Sequence, residues 1–231
     1  MEKKFAPVES SSAGNGLSAA LRGFGPLGIA AFLLIYVGNT VVVPLTAILV
    51  LVWAWLSRTP WREIGYVRPR SWIRTLAIAI GFGVAFKLLM KAIVMPLLGA
   101  PAINEAFHFL VGNRAALPGI LYIVLVGAAF GEETFFRGYL FERFGKLFGS
   151  AAWAKTLIVL LTSAWFGWEH YWLQGIPGVQ QAAIVGIVFG TIFALTGNIW
   201  MLIIAHAAFD LTAVAIIYWD LELQVAHFIF K

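Results

Sequence analysis

Residues 117–141 read LPGILYIVLVGAAFGEETFFRGYLF, an apolar run long enough to cross a bilayer that carries Glu132, Glu133 and Arg137 in its middle. An uncompensated charge at the bilayer centre costs about 2.5–3.5 kcal/mol on insertion scales. Such groups persist when they pair with one another or line a wet cavity. Two further apolar segments carry a similar oddity. His170 closes FGWEH, and His206 and Asp210 frame HAAFD. Acids and imidazoles on three separate spans suggest one buried polar site.

Composition sets the class. Of the 231 residues 61% are apolar and 12% are charged, about half the charged share of an ordinary soluble domain. The mean hydropathy of +0.88, with several stretches of about 20 apolar residues, predicts an all-α protein, a polytopic transmembrane helical bundle of six to seven spans. Segments alternating with the short period of a membrane β-barrel are not seen. There is no cysteine, which excludes thiol catalysis, thiolate metal sites and disulfides. The net charge of +5 sits in loops beside the apolar runs, which fits lipid headgroups as partners and argues against nucleic acid.

Residues 1–16 are polar, rich in Ser and Gly, and read as a flexible N-terminal tail. The rest, 17–231, reads as a single membrane-embedded helical domain with a motif-bearing core over 118–215. Apolar runs predict spans near 75–98, 118–141, 156–172, 183–196 and 199–219. Residues 17–56 read as two helices turning at Gly38-Asn39-Thr40, or as one span kinked near Pro44, with two preferred. Arg58, Arg62, Arg68, Arg70 and Arg74 crowd one connection, and Arg143, Lys146 and Lys155 the connection two crossings later. The connections near 99–117 and 173–182 carry almost no net charge. The positive-inside rule therefore predicts 58–74 and 142–155 on the cytoplasmic side and the C-terminus outside. Trp53, Trp55, Trp72, Trp172 and Trp219 suit interfacial belts.

On a helix Glu133 and Arg137 stand four apart and can pair, which leaves Glu132 about 100° around and free to face something else. A free carboxylate in a water-poor pocket can take a proton from water. A packing network between helices explains the same three residues equally well. His170 alone reads more readily as a hydrogen-bonding partner than as a catalyst. His206 and Asp210 share one face of a helix whose N-cap is predicted at Asn198. That pair fits an oriented imidazole, two metal ligands or an interhelical bond.

Taken in order, Glu132-Glu133-x-x-x-Arg137, Phe166-x-x-x-His170 and His206-x-x-x-Asp210 resemble the CPBP family of intramembrane endopeptidases. This group includes the type II CAAX prenyl protease and bacterial relatives. Arg137-Gly138-Tyr139-Leu140 and Asn198-Ile199-Trp200 agree with it. The resemblance implies that Glu132 and His170 activate a water for attack on a peptide carbonyl near the cytoplasmic face of the membrane. It implies that His206 and residue 210 hold the developing oxyanion, with Glu133 and Arg137 as the supporting pair. It implies no required cofactor, a protein or peptide substrate that can be membrane-anchored, and a multi-pass protein of a bacterial cytoplasmic membrane. One position departs: the prenyl protease has Asn where this chain has Asp210, and an ionised Asp would repel an oxyanion.

Two other readings remain at this level. His170, His206, Asp210 and Glu132 offer the N and O ligands that Zn²⁺ accepts, so a zinc-dependent version of the hydrolysis is possible, although no His-Glu-x-x-His helix is present. A non-catalytic membrane module, such as a bacteriocin-immunity or scaffold protein, would use the same cluster to fix helix packing. Lys87 and Lys91 share a face of the 75–98 span and are candidates to snorkel, to neutralise a carboxylate or to line the cavity.

Overall fold

A computed structural model describes residues 12–230, whose regular elements are all helices, with no strand among them. Most of the expected tail over 1–16 lies outside the described residues, and a helix already begins at Ser12. The chain falls into two compact units that divide between Pro60 and Trp61, within the single domain expected over 17–231.

The first unit holds α1 (Ser12–Arg22), α2 (Pro26–Val41) and α3 (Leu45–Leu56). Residues 17–56, expected to hold two helices, carry part of α1 together with α2 and α3, and the turn between the last two falls at 42–44 rather than at 38–40. Gly38 and Asn39 remain helical and instead receive the start of α3. A Cβ on Gly38 would come within 2.8 Å of the Thr46 nitrogen, so only glycine admits this approach. Thr46 Oγ1 donates to the Ile35 carbonyl at 2.8 Å, and Thr46 N donates to Asn39 Oδ1 at 3.0 Å. Trp53 departs from the expected interfacial belt. It is buried, and its indole donates to the Leu21 carbonyl at 3.0 Å. Trp55, by contrast, is exposed.

The second unit contains α4 (Trp72–Leu97), α5 (Leu117–Phe148), α6 (Ala152–Glu169), α7 (Tyr171–Thr196), α8 (Ile199–Tyr218) and the short α9 (Glu222–Ala226). Of these α4, α5, α7 and α8 are long and apolar enough to cross a membrane, and the bent pair α1–α2 would make a fifth crossing. The expected count of six to seven spans is approximate. The expected span at 156–172 forms as α6, but Lys155, Glu169 and three Trp dilute its apolar character. The expected connection at 173–182 is helical too, broken only at Gly175, whose φ of 61° and ψ of −155° lie outside the helical region just ahead of Pro177.

Many large apolar side chains point outward, including Ile73 at 81%, Leu195 at 81% and Trp172 at 79% exposure. In water such a surface would drive aggregation; against lipid it is the solvated face. Contacts between spans depend on small residues, as packing without a hydrophobic driving force requires. Gly83 lies so close to α8 that a Cβ there would meet the Ala205 carbonyl oxygen at 2.2 Å. Gly186 meets Ser163 in the same way, at 2.9 Å, and locks α7 against α6.

Candidate active site

Helix α5 is where sequence and geometry meet. From Ile123 to Leu140 its backbone winds as a wide, π-type helix, a form that is rare and usually confined to single turns at functional sites. Glu133 and Arg137 still share a face across this stretch. Arg137 Nη1 donates to Glu133 Oε1 at 3.0 Å, with the two side chains 2% and 0% exposed. The guanidinium lies 4.8 Å from the Phe166 ring centre and 5.8 Å from that of Phe189, so aromatic faces from α6 and α7 cover the charge.

Glu133 has a second partner that i, i+4 spacing could not show. His206 Nδ1 lies 2.8 Å from the same oxygen, Glu133 Oε1. One buried carboxylate oxygen thus holds a cation of its own helix and an imidazole of α8. The other face of that imidazole meets the remaining acids, with His206 Nε2 3.8 Å from Glu132 Oε2 and 3.4 Å from Asp210 Oδ2. Glu132 Oε2 is buried and accepts no hydrogen bond among the described residues. A carboxylate oxygen of this kind, beside a cavity, can take a water as its partner.

His170 stands at the junction of α6 and α7. Its Nδ1 lies 2.8 Å from the Phe166 carbonyl oxygen, which can only accept, so Nδ1 carries the proton. In the neutral ring Nε2 then keeps its lone pair. The Phe166 ring packs edge-on against both histidines, with centroids 4.7 Å from His170 and 6.2 Å from His206.

Glu132, His170, His206 and Asp210 all line one cavity of about 380 Å³. This lies in the range of small-molecule and peptide sites. The four candidates named from sequence therefore converge, and the supporting pair Glu133–Arg137 braces the wall behind them. Asn198 caps α8 as expected, its Oδ1 accepting from Trp200 N at 3.0 Å after Gly197 ends α7 in the left-handed region.

Two contributors were not legible. Tyr66, from the basic connection before α4, bonds to Thr134 at 2.7 Å, next to Glu133. Thr134 spends its own proton on the Phe130 carbonyl at 2.6 Å, so Tyr66 is the donor. Burial pushes the Tyr66 phenol up to about 12, which keeps it a donor. Nothing in GYVRPR distinguishes that tyrosine from an interfacial one. Gln181, on what reads as a polar loop, faces the same cavity from α7. As for metal, among the described residues no three His, Asp or Glu side chains are placed to hold an ion, although the donor types suit zinc.

These observations define a multi-pass helical membrane protein with carboxylates and imidazoles gathered in a cavity between its spans. Residues 114–212, the motif-bearing stretch of the chain, match the family model Rce1-like, type II CAAX prenyl endopeptidase Rce1-like. The match covers all three motifs that resemble CPBP endopeptidases. The chain matches no curated protein and no solved structure.

Proposed function

We propose that the chain is an intramembrane endopeptidase in which Glu132 and His170 activate a water within the cavity between α5, α6 and α8. The observation that carries this reading is the convergence of Glu132 Oε2, which lacks a protein donor, with His170, His206 and Asp210 on one cavity. Glu132 takes a proton from the water, and the hydroxide adds to the scissile carbonyl carbon. Negative charge then develops on the carbonyl oxygen, where His206 Nε2–H and a protonated Asp210 donate to it. The C–N bond breaks as the proton held by Glu132 passes to the leaving nitrogen.

In this scheme Glu133 is a positioning residue. It fixes His206 through Nδ1 and is itself held by Arg137. The reaction requires no cofactor, and lipid and a protein or peptide substrate are the partners. The basic segments 58–74 and 142–155 face the cytoplasm on this reading, and α8 ends outside. The contact of Tyr66 with Thr134 and the bond from Ile199 N to the Gly65 carbonyl at 2.9 Å support a common side for the 61–66 connection, the far half of α5 and the start of α8.

A comparison of membrane proteomes from cells carrying wild type and Glu132→Gln tests this function. A precursor that accumulates only with Glu132→Gln is expected. Identical membrane proteomes, with both proteins folded and equally abundant, would contradict it.

A further inference from the structure

Lys87 lies in the middle of α4 and is buried, with 7% of its surface exposed. Its ammonium donates to Gln181 Oε1 at 3.0 Å and lies 4.7 Å from the centre of the Phe209 ring. Both partners are neutral; the charges of Asp210 and Glu222 reach it, but among the described residues no carboxylate forms an ion pair with it. Lys91, one turn further on, differs: its Nζ is 2.7 Å from Glu222 Oε1, so its charge is met inside the protein. An ammonium has three donors, and Gln181 uses one of those on Lys87. A buried cation with unused donors and no carboxylate in hydrogen-bond contact can bind an anion.

Its position gives the anion a context. Lys87 and Gln181 line the cavity that holds Glu132, and they also line an adjoining cavity of about 330 Å³ whose walls combine Met95 and Ile216 with Glu105 and the Lys91–Glu222 pair. The ammonium therefore stands where a reaction chamber meets a second compartment with both apolar and charged walls. A peptide that lies across Glu132 and extends into that compartment passes Lys87.

We propose that Lys87 is a specificity-determining residue that receives a carboxylate of the peptide substrate and so fixes where along the chain the cut falls. This rests on the peptidase reading above. The carboxylate has two sources, the C-terminus of the substrate or an Asp or Glu side chain. A competing role is charge balance alone, with Lys87 offsetting Asp210 and Glu222.

The test uses the full chain in lipid vesicles and a lipid-anchored peptide library made in three forms: with a free C-terminal acid, with a C-terminal carboxamide, and with every internal Asp and Glu replaced by Asn and Gln. Cleavage rates and cut positions are read by mass spectrometry. Wild type is expected to prefer one carboxylate source by about thirtyfold or more in kcat/KM, the lower end for losing one partner of a buried charge pair. Lys87→Met, which keeps the apolar stem, should bring that ratio near one by slowing only the preferred form. Lys87→Arg should retain the preference and keeps the test open if Lys87→Met does not fold. Equal rates for all three forms in wild type, or a preference that survives in folded Lys87→Met, would overturn the proposal. Slowing of every form by the same factor would mark charge balance and overturn it too. If wild type cleaves no library member, the peptidase reading itself fails, and the carboxylate site falls with it.

Discussion

Glu133 Oε1 lies 2.8 Å from His206 Nδ1 and ties α5 to α8 in the interior of the bundle. The same oxygen accepts from Arg137, so this carboxylate compensates one buried cation and orients one imidazole. Glu132, its neighbour, has no such duty. Breaking a buried pair by removing one partner costs about 3–5 kcal/mol. Glu133→Gln should therefore lower the thermal midpoint in detergent sharply and reduce folded yield. Glu132→Gln should leave the midpoint unchanged or raise it, because it removes one of three carboxylates crowded around His206. Equal loss from both variants would show that Glu132 belongs to the structural network.

The role of Asp210 is decided by an isosteric change. If it donates a hydrogen bond as a neutral acid, Asp210→Asn keeps a donor in place and should retain cleavage within about tenfold, whereas Asp210→Ala should lose about 10²–10³-fold, the range for removing one oxyanion donor. Complete loss in a folded Asp210→Asn would instead assign Asp210 to holding His206, from whose Nε2 it lies 3.4 Å.

His170 acts through a single nitrogen. With Nδ1 committed to the Phe166 carbonyl at 2.8 Å, only Nε2 can accept a proton. Because His170 shares the activation of the water with Glu132, His170→Gln should reduce kcat by about 10²–10⁴-fold, with the thermal midpoint close to wild type. Cleavage at the wild-type rate would leave His170 as a packing partner of Phe166.

The donor types in the cavity suit zinc, but no three of them are placed to hold an ion among the described residues. On the proposed reading without a cofactor, cleavage by the purified protein should survive prolonged treatment with a strong chelator. Loss of activity on chelation, restored by Zn²⁺, would establish the metal-dependent version.

Helical class and most elements of the second unit were legible because burial in lipid leaves long apolar runs with few polar exceptions. Those exceptions then mark the site: Glu132, Glu133, Arg137, His170, His206 and Asp210 all stand out against apolar neighbours. Pairing within a helix could be read from spacing, as for Glu133 and Arg137. Pairing between helices could not, because nothing in the sequence states which face of α8 meets α5, and so the bond from His206 to Glu133 was invisible. The first unit was harder for a related reason. Its turn is set by close approach of Gly38 to Thr46, a tertiary fact, while Pro44 and the Gly38-Asn39-Thr40 triplet both offered local signals. The loop expected at 173–182 failed because Gly175 and Pro177 break a helix that apolar packing against α6 otherwise sustains.

The most direct test of a water activated by Glu132 is hydrolysis of a lipid-anchored peptide library by the full chain in lipid vesicles, wild type against Glu132→Gln, with folding followed by thermal unfolding. Cleavage should fall by about 10²–10⁴-fold in Glu132→Gln while its unfolding transition is preserved. Cleavage by folded Glu132→Gln at the wild-type rate would contradict the account.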